Sequence, residues 1–246
     1  MMTNRMRLFV KYYIVVIVIM SDKYQIPKGV NKPQWVVNHF AYLNRVDKSR
    51  TESQKNCTSE LTLICDKYKN YTDKGPNGHY YIKHNYTEIY GDLLRHYKDR
   101  EINLLEIGVR QGGSLCMWAD YLPKAQVHGV DIDLRTLEVN LRDKPNIKTY
   151  QFDAYNPALV EKHFKGMKFD VILDDGSHTV PDQKKMLNIW SKYMADDGVI
   201  IIEDIANVKD AREIILAFEG PINKCSIIDR THCVPSLDDV NVIYYK

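Results

Sequence analysis

Several signatures that would narrow the function of this chain at once are missing. There is no basic stripe: 34 basic and 32 acidic side chains leave a formal charge of +2, so nucleic acid is not expected as a partner. The five cysteines follow no regular spacing, which excludes a disulfide framework or a zinc motif. They fit free thiols in a reducing, cytoplasmic setting. No internal repeat or low-complexity tract interrupts the chain. The apolar run Tyr12–Met20 is well short of the ~20 residues a membrane helix requires, so no stable span is expected. No small-residue cleavage site follows it. Residues 1–20 therefore read as an apolar leader or upstream segment, with Met20-Ser21-Asp22-Lys23 resembling a native start, and a buried strand or membrane association or export as the competing readings. The triplets beginning at Asn56, Asn70 and Asn85 match glycosylation acceptors but carry no weight without secretion.

What is present is a chain of 246 residues, 44% apolar, enough for one sizeable core with a smaller appendage. Residues 21–100 carry helical patterns and form an accessory region. Pro33 opens one short helix through Leu43, and Tyr86, Ile89, Tyr90, Leu93, Leu94 and Tyr97 make a broad apolar face on another. Between them, Thr72 to Tyr81 reads as a loop marked by Gly75, Pro76 and Gly78.

From residue 101 to 246 the texture alternates. Apolar strands are predicted at 103–109, 126–133, 147–152, 169–173 and 199–202. Ser114 is placed to cap a helix carrying Leu115, Trp118 and Leu122. Pro181 opens another with Met186, Leu187, Trp190 and Met194 on one side. Nearly continuous apolar strands separated by helices predict an α/β fold with a mostly parallel sheet covered on both faces. The strands at 225–228 and 240–245 have only a loop between them, which is too short for a crossover helix, so the last pair is expected to be antiparallel.

The chemistry-bearing residues cluster at the ends of these strands. Glu106-Ile107-Gly108 followed by Gly112-Gly113 and a helix aims backbone amides at a ligand and suits a negatively charged group of a nucleoside cofactor. Asp131 ends the second strand, where a carboxylate can meet ribose hydroxyls, and Asp153 ends the third, near the place for an adenine amino group. The Gly-x-Gly-x-x-Gly spacing of nicotinamide sites is broken here, since three residues separate Gly108 from Gly112. Asp174-Asp175-Gly176-Ser177-His178 ends the fourth strand and Glu203-Asp204 the fifth. Such acids are costly to bury together unless a cation joins them, and an all-oxygen set favours Mg²⁺ over zinc. The bland alternative is that some of them cap helices, Asp204 above all. His178 is the candidate general base, with an ordinary pKa near ~6.5.

The broken glycine spacing and the reversed final strand resemble the class I S-adenosylmethionine-dependent methyltransferases, whose Rossmann-like sheet has seven strands with the last reversed. The resemblance covers about residues 101–246. It implies that Glu106, Gly108, Gly112, Ser114, Asp131, Asp153 and Asp174 serve the cofactor. The Asp175-Gly176-Ser177-His178 segment with Glu203-Asp204, the Glu-x-Gly-x-x-x-Gly-Gly-Ser turn and the upstream Asp73-Lys74 with His79 and Tyr80 resemble the magnesium-dependent macrolide sugar O-methyltransferases of the mycinamicin type. That resemblance implies metal ligation by Asp175, Glu203 and Asp204, with His178 as the base. It also implies a hydroxyl on a sugar or glycosylated small molecule as acceptor, and a homo-oligomer. His79, Tyr80 and Tyr86 are candidates for the entrance or for loop packing. A catechol-type methyltransferase and an inactive cofactor-fold binding module are the alternatives. A 2-oxoglutarate-type oxygenase is disfavoured, because only one histidine stands among the acids.

Overall fold

Strands that are apolar on both faces are stable only where helices shield both faces of the sheet, and that is the arrangement found. In a computed structural model of the chain, residues 59–77, 84–220, 225–230 and 240–246 are described. The expected Pro33 helix, the apolar run before Met20, His79 and Tyr80 lie outside them. Strands β1 (Asn103–Ile107), β2 (Gln126–Asp131), β3 (Ile147–Gln151), β4 (Phe169–Asp174), β5 (Met194–Ile205), β6 (Cys225–Asp229) and β7 (Val240–Tyr245) form one sheet in the order β3-β2-β1-β4-β5-β7-β6. β7 runs antiparallel to both its neighbours, while the remaining adjacent pairs are parallel. The strand order reverses between β1 and β4, which opens a crevice at their carboxyl ends.

The helices are α1 (Glu60–Cys65), α2 (Thr87–Leu94), α3 (Gly113–Tyr121), α4 (Pro157–Phe164), α5 (Val180–Trp190) and α6 (Val208–Leu216). None among the described residues is long and apolar enough to cross a membrane. Local chemistry explains their starts. Asn156 accepts from the amides of Ala158 and Leu159 ahead of Pro157, and Asn207 accepts from Asp210 N, so Asn207 rather than Asp204 caps α6. α3 is capped by Gly112 in the left-handed region, φ 85°. Ser114 is therefore not the cap expected of it; it lies inside the first turn and donates its hydroxyl to Glu106. Met194 begins β5 instead of ending α5.

Leu104, Val127, Val171, Val199 and Ile243 of the sheet pack in one buried cluster with Trp118 of α3, Leu61 of α1 and Tyr90 of α2. Residues of 59–77 and 84–97 thus share their core with the sheet, and Ser59–Lys246 is one compact unit. A second group joins α4, α5 and the start of β4: the Phe164 ring lies 5.3 Å from Phe169 and 5.8 Å from Trp190. Burying one such side chain stabilises by about 1.5–3 kcal/mol.

Two departures from regular strands shape the crevice. β1 stops at Ile107 because Gly108 turns with φ 88°, a conformation that favours glycine. A Cβ there would lie 1.9 Å from the Asp175 carbonyl oxygen. β5 extends beyond Ile202 through Glu203 and Asp204. Its register with β7 shifts between Ile202 and Ile205, and Asp204 has φ 53°. Such a bulge breaks the alternation of side chains, so two consecutive acids can both reach neighbours of Asp175.

Candidate active site

A cavity of about 600 Å³ opens at the carboxyl ends of β1, β2, β3 and β4. On one side lies the glycine turn. The Asp131 carboxylate accepts from Val109 N at 2.7 Å and Arg110 N at 3.0 Å through one oxygen. Its other oxygen accepts from Asp133 N at 2.9 Å. This fixes the turn as a rigid rim. Of the residues expected to serve a cofactor, Gly108, Ser114, Asp131 and Asp153 line the cavity. Glu106 and Asp174 lie fully buried behind its wall, and Gly112 contributes the start of α3 rather than a lining surface. Burial pushes both Glu106 and Asp174 up to about 7, because an ion removed from water is disfavoured unless compensated.

The other side is dense with charge, and its centre is a residue whose part the sequence pattern does not reveal. Lys74, 1% exposed, places its ammonium 2.6 Å from Asp175, 2.8 Å from Glu203 and 3.4 Å from Glu106. Burial works against its charge, yet the acids outweigh burial and hold it protonated. The backbone fastens this segment to its surroundings. Gly113 N donates to Tyr71 O, His84 N to Asp73 O and Thr87 N to Lys74 O. Tyr71, Thr72 and Asp73 line the cavity. In the sequence these residues read as a solvated loop; the preceding Tyr71 and the Asp73-Lys74 pair are the only cue.

Asp175, His178 and Asp204 offer ligand atoms that all lie within 4.8 Å of one another. His178 Nε2 is 3.1 Å from Asp175 and 3.5 Å from Asp204. Tyr86 is buried and donates its hydroxyl to Asp204 at 2.7 Å, so it braces an acid and does not line an entrance. Of the expected metal ligands, Asp175 and Asp204 thus come together beside His178, whereas Glu203 stands outside that group; Lys74 engages both Asp175 and Glu203. The donors still fit a hard divalent cation, being two carboxylates that share one crevice beside an imidazole. His178 departs from the neutral imidazole expected. Burial alone would lower its pKa, but the hydrogen bond to Asp175 and the charges of Asp175, Asp204 and Glu203 raise it to about 9. Asp175 is held well below the usual carboxylate range; burial opposes this, and Lys74 and His178 outweigh it.

Residues 105–205 match the family described as a methyltransferase domain. The chain also superposes on a structure of the MycE methyltransferase from the mycinamycin biosynthetic pathway, in complex with Mg and SAH. The TM-score is 0.55 at 17% identity, covering 91% of this chain and 66% of that one. This is a class I methyltransferase fold. Among curated relatives, the L-olivosyl-oleandolide 3-O-methyltransferase of Streptomyces antibioticus is 31% identical over 159 residues, covering 61% of this chain and 38% of that protein. The mycinamicin VI 2''-O-methyltransferase of Micromonospora griseorubida is 28% identical over 130 residues, covering 50% and 32%. The chain thus spans about a third of the length of the curated relatives it matches. The methyltransferase fold accounts for the reversed β7 and for the crevice between β1 and β4, where the glycine turn and the acid cluster meet.

Proposed function

We propose that the chain is an S-adenosylmethionine-dependent O-methyltransferase that acts on a hydroxyl of a sugar or glycosylated small molecule, with Mg²⁺ as its metal. The observation that carries this reading is the convergence on one cavity of a glycine turn with open backbone approach and of Asp175 and His178, with Asp204 grouped beside those two. A binding module without chemistry has no need of that cluster. The relatives support the reading, since the names of both describe O-methylation of glycosylated compounds.

In this proposal the glycine turn and Asp131 bind the cofactor, with Asp153 and Ser114 on the same wall and Glu106, Gly112 and Asp174 supporting it. Asp175 and Asp204 hold the metal, and Glu203 joins them if it is released from Lys74. A divalent cation there would offset the two carboxylates, bring His178 back toward its ordinary range and polarise the acceptor hydroxyl. His178 Nε2 removes the hydroxyl proton as the oxygen attacks the sulfonium methyl carbon. The carbon–sulfur bond breaks, its electron pair stays on sulfur, and S-adenosylhomocysteine is the second product. Lys74 keeps Asp175 ionised without itself meeting the acceptor, while burial still holds Glu106 and Glu203 above the usual carboxylate range. A soluble, cytoplasmic homo-oligomer acting on a small glycosylated acceptor goes with this reading.

The test is isothermal titration with S-adenosylmethionine, with and without Mg²⁺, followed by a screen of demethylated macrolide and polyketide glycosides. Cofactor binding, with methylation abolished by EDTA and restored by Mg²⁺, is expected. Turnover indifferent to EDTA overturns the metal assignment, and binding of NAD in place of S-adenosylmethionine overturns the whole reading.

A further inference from the structure

Tyr155 occupies the turn between β3 and α4, two residues beyond Asp153, and lines the same cavity. Its hydroxyl donates to Asp174 Oδ1 at 2.6 Å and accepts from Ser177 N at 3.1 Å. These two partners flank Asp175 and Gly176, so a single oxygen spans the turn that leads from β4 to His178. Gly176 makes room for it: a Cβ at that position would lie 2.3 Å from the Tyr155 hydroxyl. The far end of the turn is tied separately, through Ser177 Oγ donating to Asp182 at 2.9 Å.

The turn needs such restraints. His178 has φ 53°, in the left-handed region that disfavours a residue with a side chain. Strained backbone of this kind persists only where its surroundings over-determine it. Upstream of His178 the anchors include the Asp175 N to Ile107 O hydrogen bond, the Lys74 ammonium on the Asp175 carboxylate, the Ser177 Oγ to Asp182 hydrogen bond and the Tyr155 hydroxyl. Of these, the hydroxyl is the one carried in from the Asp153 loop, and it acts on both ends of the Asp174–Ser177 turn.

We propose that Tyr155 is a positioning residue for methyl transfer: its hydroxyl holds the Asp174–Ser177 turn so that His178 Nε2 faces the cavity, and it ties the Asp153 loop to that turn. The inference rests on the reading of His178 as the base. Tyr155 does not exchange a proton with the acceptor. It sets where the exchanging group stands, so its loss falls on the rate at saturation and not on cofactor affinity.

Tyr155→Phe keeps the ring and removes only the bridging oxygen. In the full chain with Mg²⁺, S-adenosylmethionine affinity by titration should stay within about threefold of the unaltered protein, whereas kcat on the acceptor found in the glycoside screen should fall about tenfold or more, with the acceptor KM little changed. In the cofactor-bound protein, the Ser177 amide and the His178 ring resonances, assigned with His178→Ala, should shift or broaden. Unmoved His178 resonances with unchanged kcat overturn the proposal. So does a loss of S-adenosylmethionine affinity that accounts for the whole effect, which would make Tyr155 a wall of the cofactor pocket. Full turnover in His178→Ala instead overturns the base assignment, and with it the catalytic consequence of Tyr155; the hold on the turn is then judged from the resonances alone.

Discussion

The two sides of the crevice solve the problem of binding by different means. Along β1, β2 and β3 the working groups are main-chain amides, a glycine turn, the Asp131 carboxylate that fixes the turn from behind, and Asp153 on the same wall. Along β4 and β5 they are ionic side chains in contact: Asp175, Glu203, Asp204 and His178, gathered around Lys74. The first side relies mainly on backbone groups, whose fixed partial charges need no counter-ion. The second concentrates charge where water is scarce, and each carboxylate there must be offset or it takes up a proton. Shape is tolerant of small electrostatic changes. The ionic side is not, since removing one member strands the others.

Substitutions on the two sides should therefore separate cleanly. The largest effect is expected from His178→Ala, which should lower turnover about a thousandfold while leaving S-adenosylmethionine affinity by titration almost unchanged; near-full turnover would remove His178 as the base. Lys74→Met should come next. It leaves Glu106, Asp175 and Glu203 without their shared cation, and thermal and denaturant unfolding should show a loss of about 3–5 kcal/mol. Unchanged stability would mean that the acids are compensated in another way. Asp131→Asn should have the smallest effect. Losing a charged acceptor for two amides should weaken S-adenosylmethionine about tenfold, and kcat at saturating cofactor should hold. A fall in kcat without a change in affinity would erase the distinction between the two sides.

Much of this arrangement is legible in the amino-acid order alone. The strands at Asn103–Ile107, Gln126–Asp131 and Val240–Tyr245 stand out because buried parallel and inner strands are apolar along their length. Acids that end such strands are conspicuous for the same reason. The glycine turn is legible because its conformation excludes most other residues. Lys74 is not, since Thr72-Asp73-Lys74-Gly75 has the composition of a solvated loop; only packing against Gly113 and α2 carries it inside. The cap of α3 falls two residues before the serine that the pattern favours, because glycine can cap through its backbone conformation alone, leaving no side-chain signal. The partners of Tyr155 are equally hidden, for nothing local links residue 155 to residues 174 and 177.

By itself, then, the sequence determined the order of elements, the reversed final strand and the four residues that stand out at the ends of β4 and β5, because hydrophobic periodicity and glycine usage are local properties. Only the tertiary structure decided how those residues divide their work. It turned Glu203 toward Lys74, brought Asp204 beside His178 through a bulge, and raised His178 above its ordinary range. Those outcomes depend on distances between groups far apart in the chain and on how much water is left between them, and neither quantity is written in any local stretch of residues.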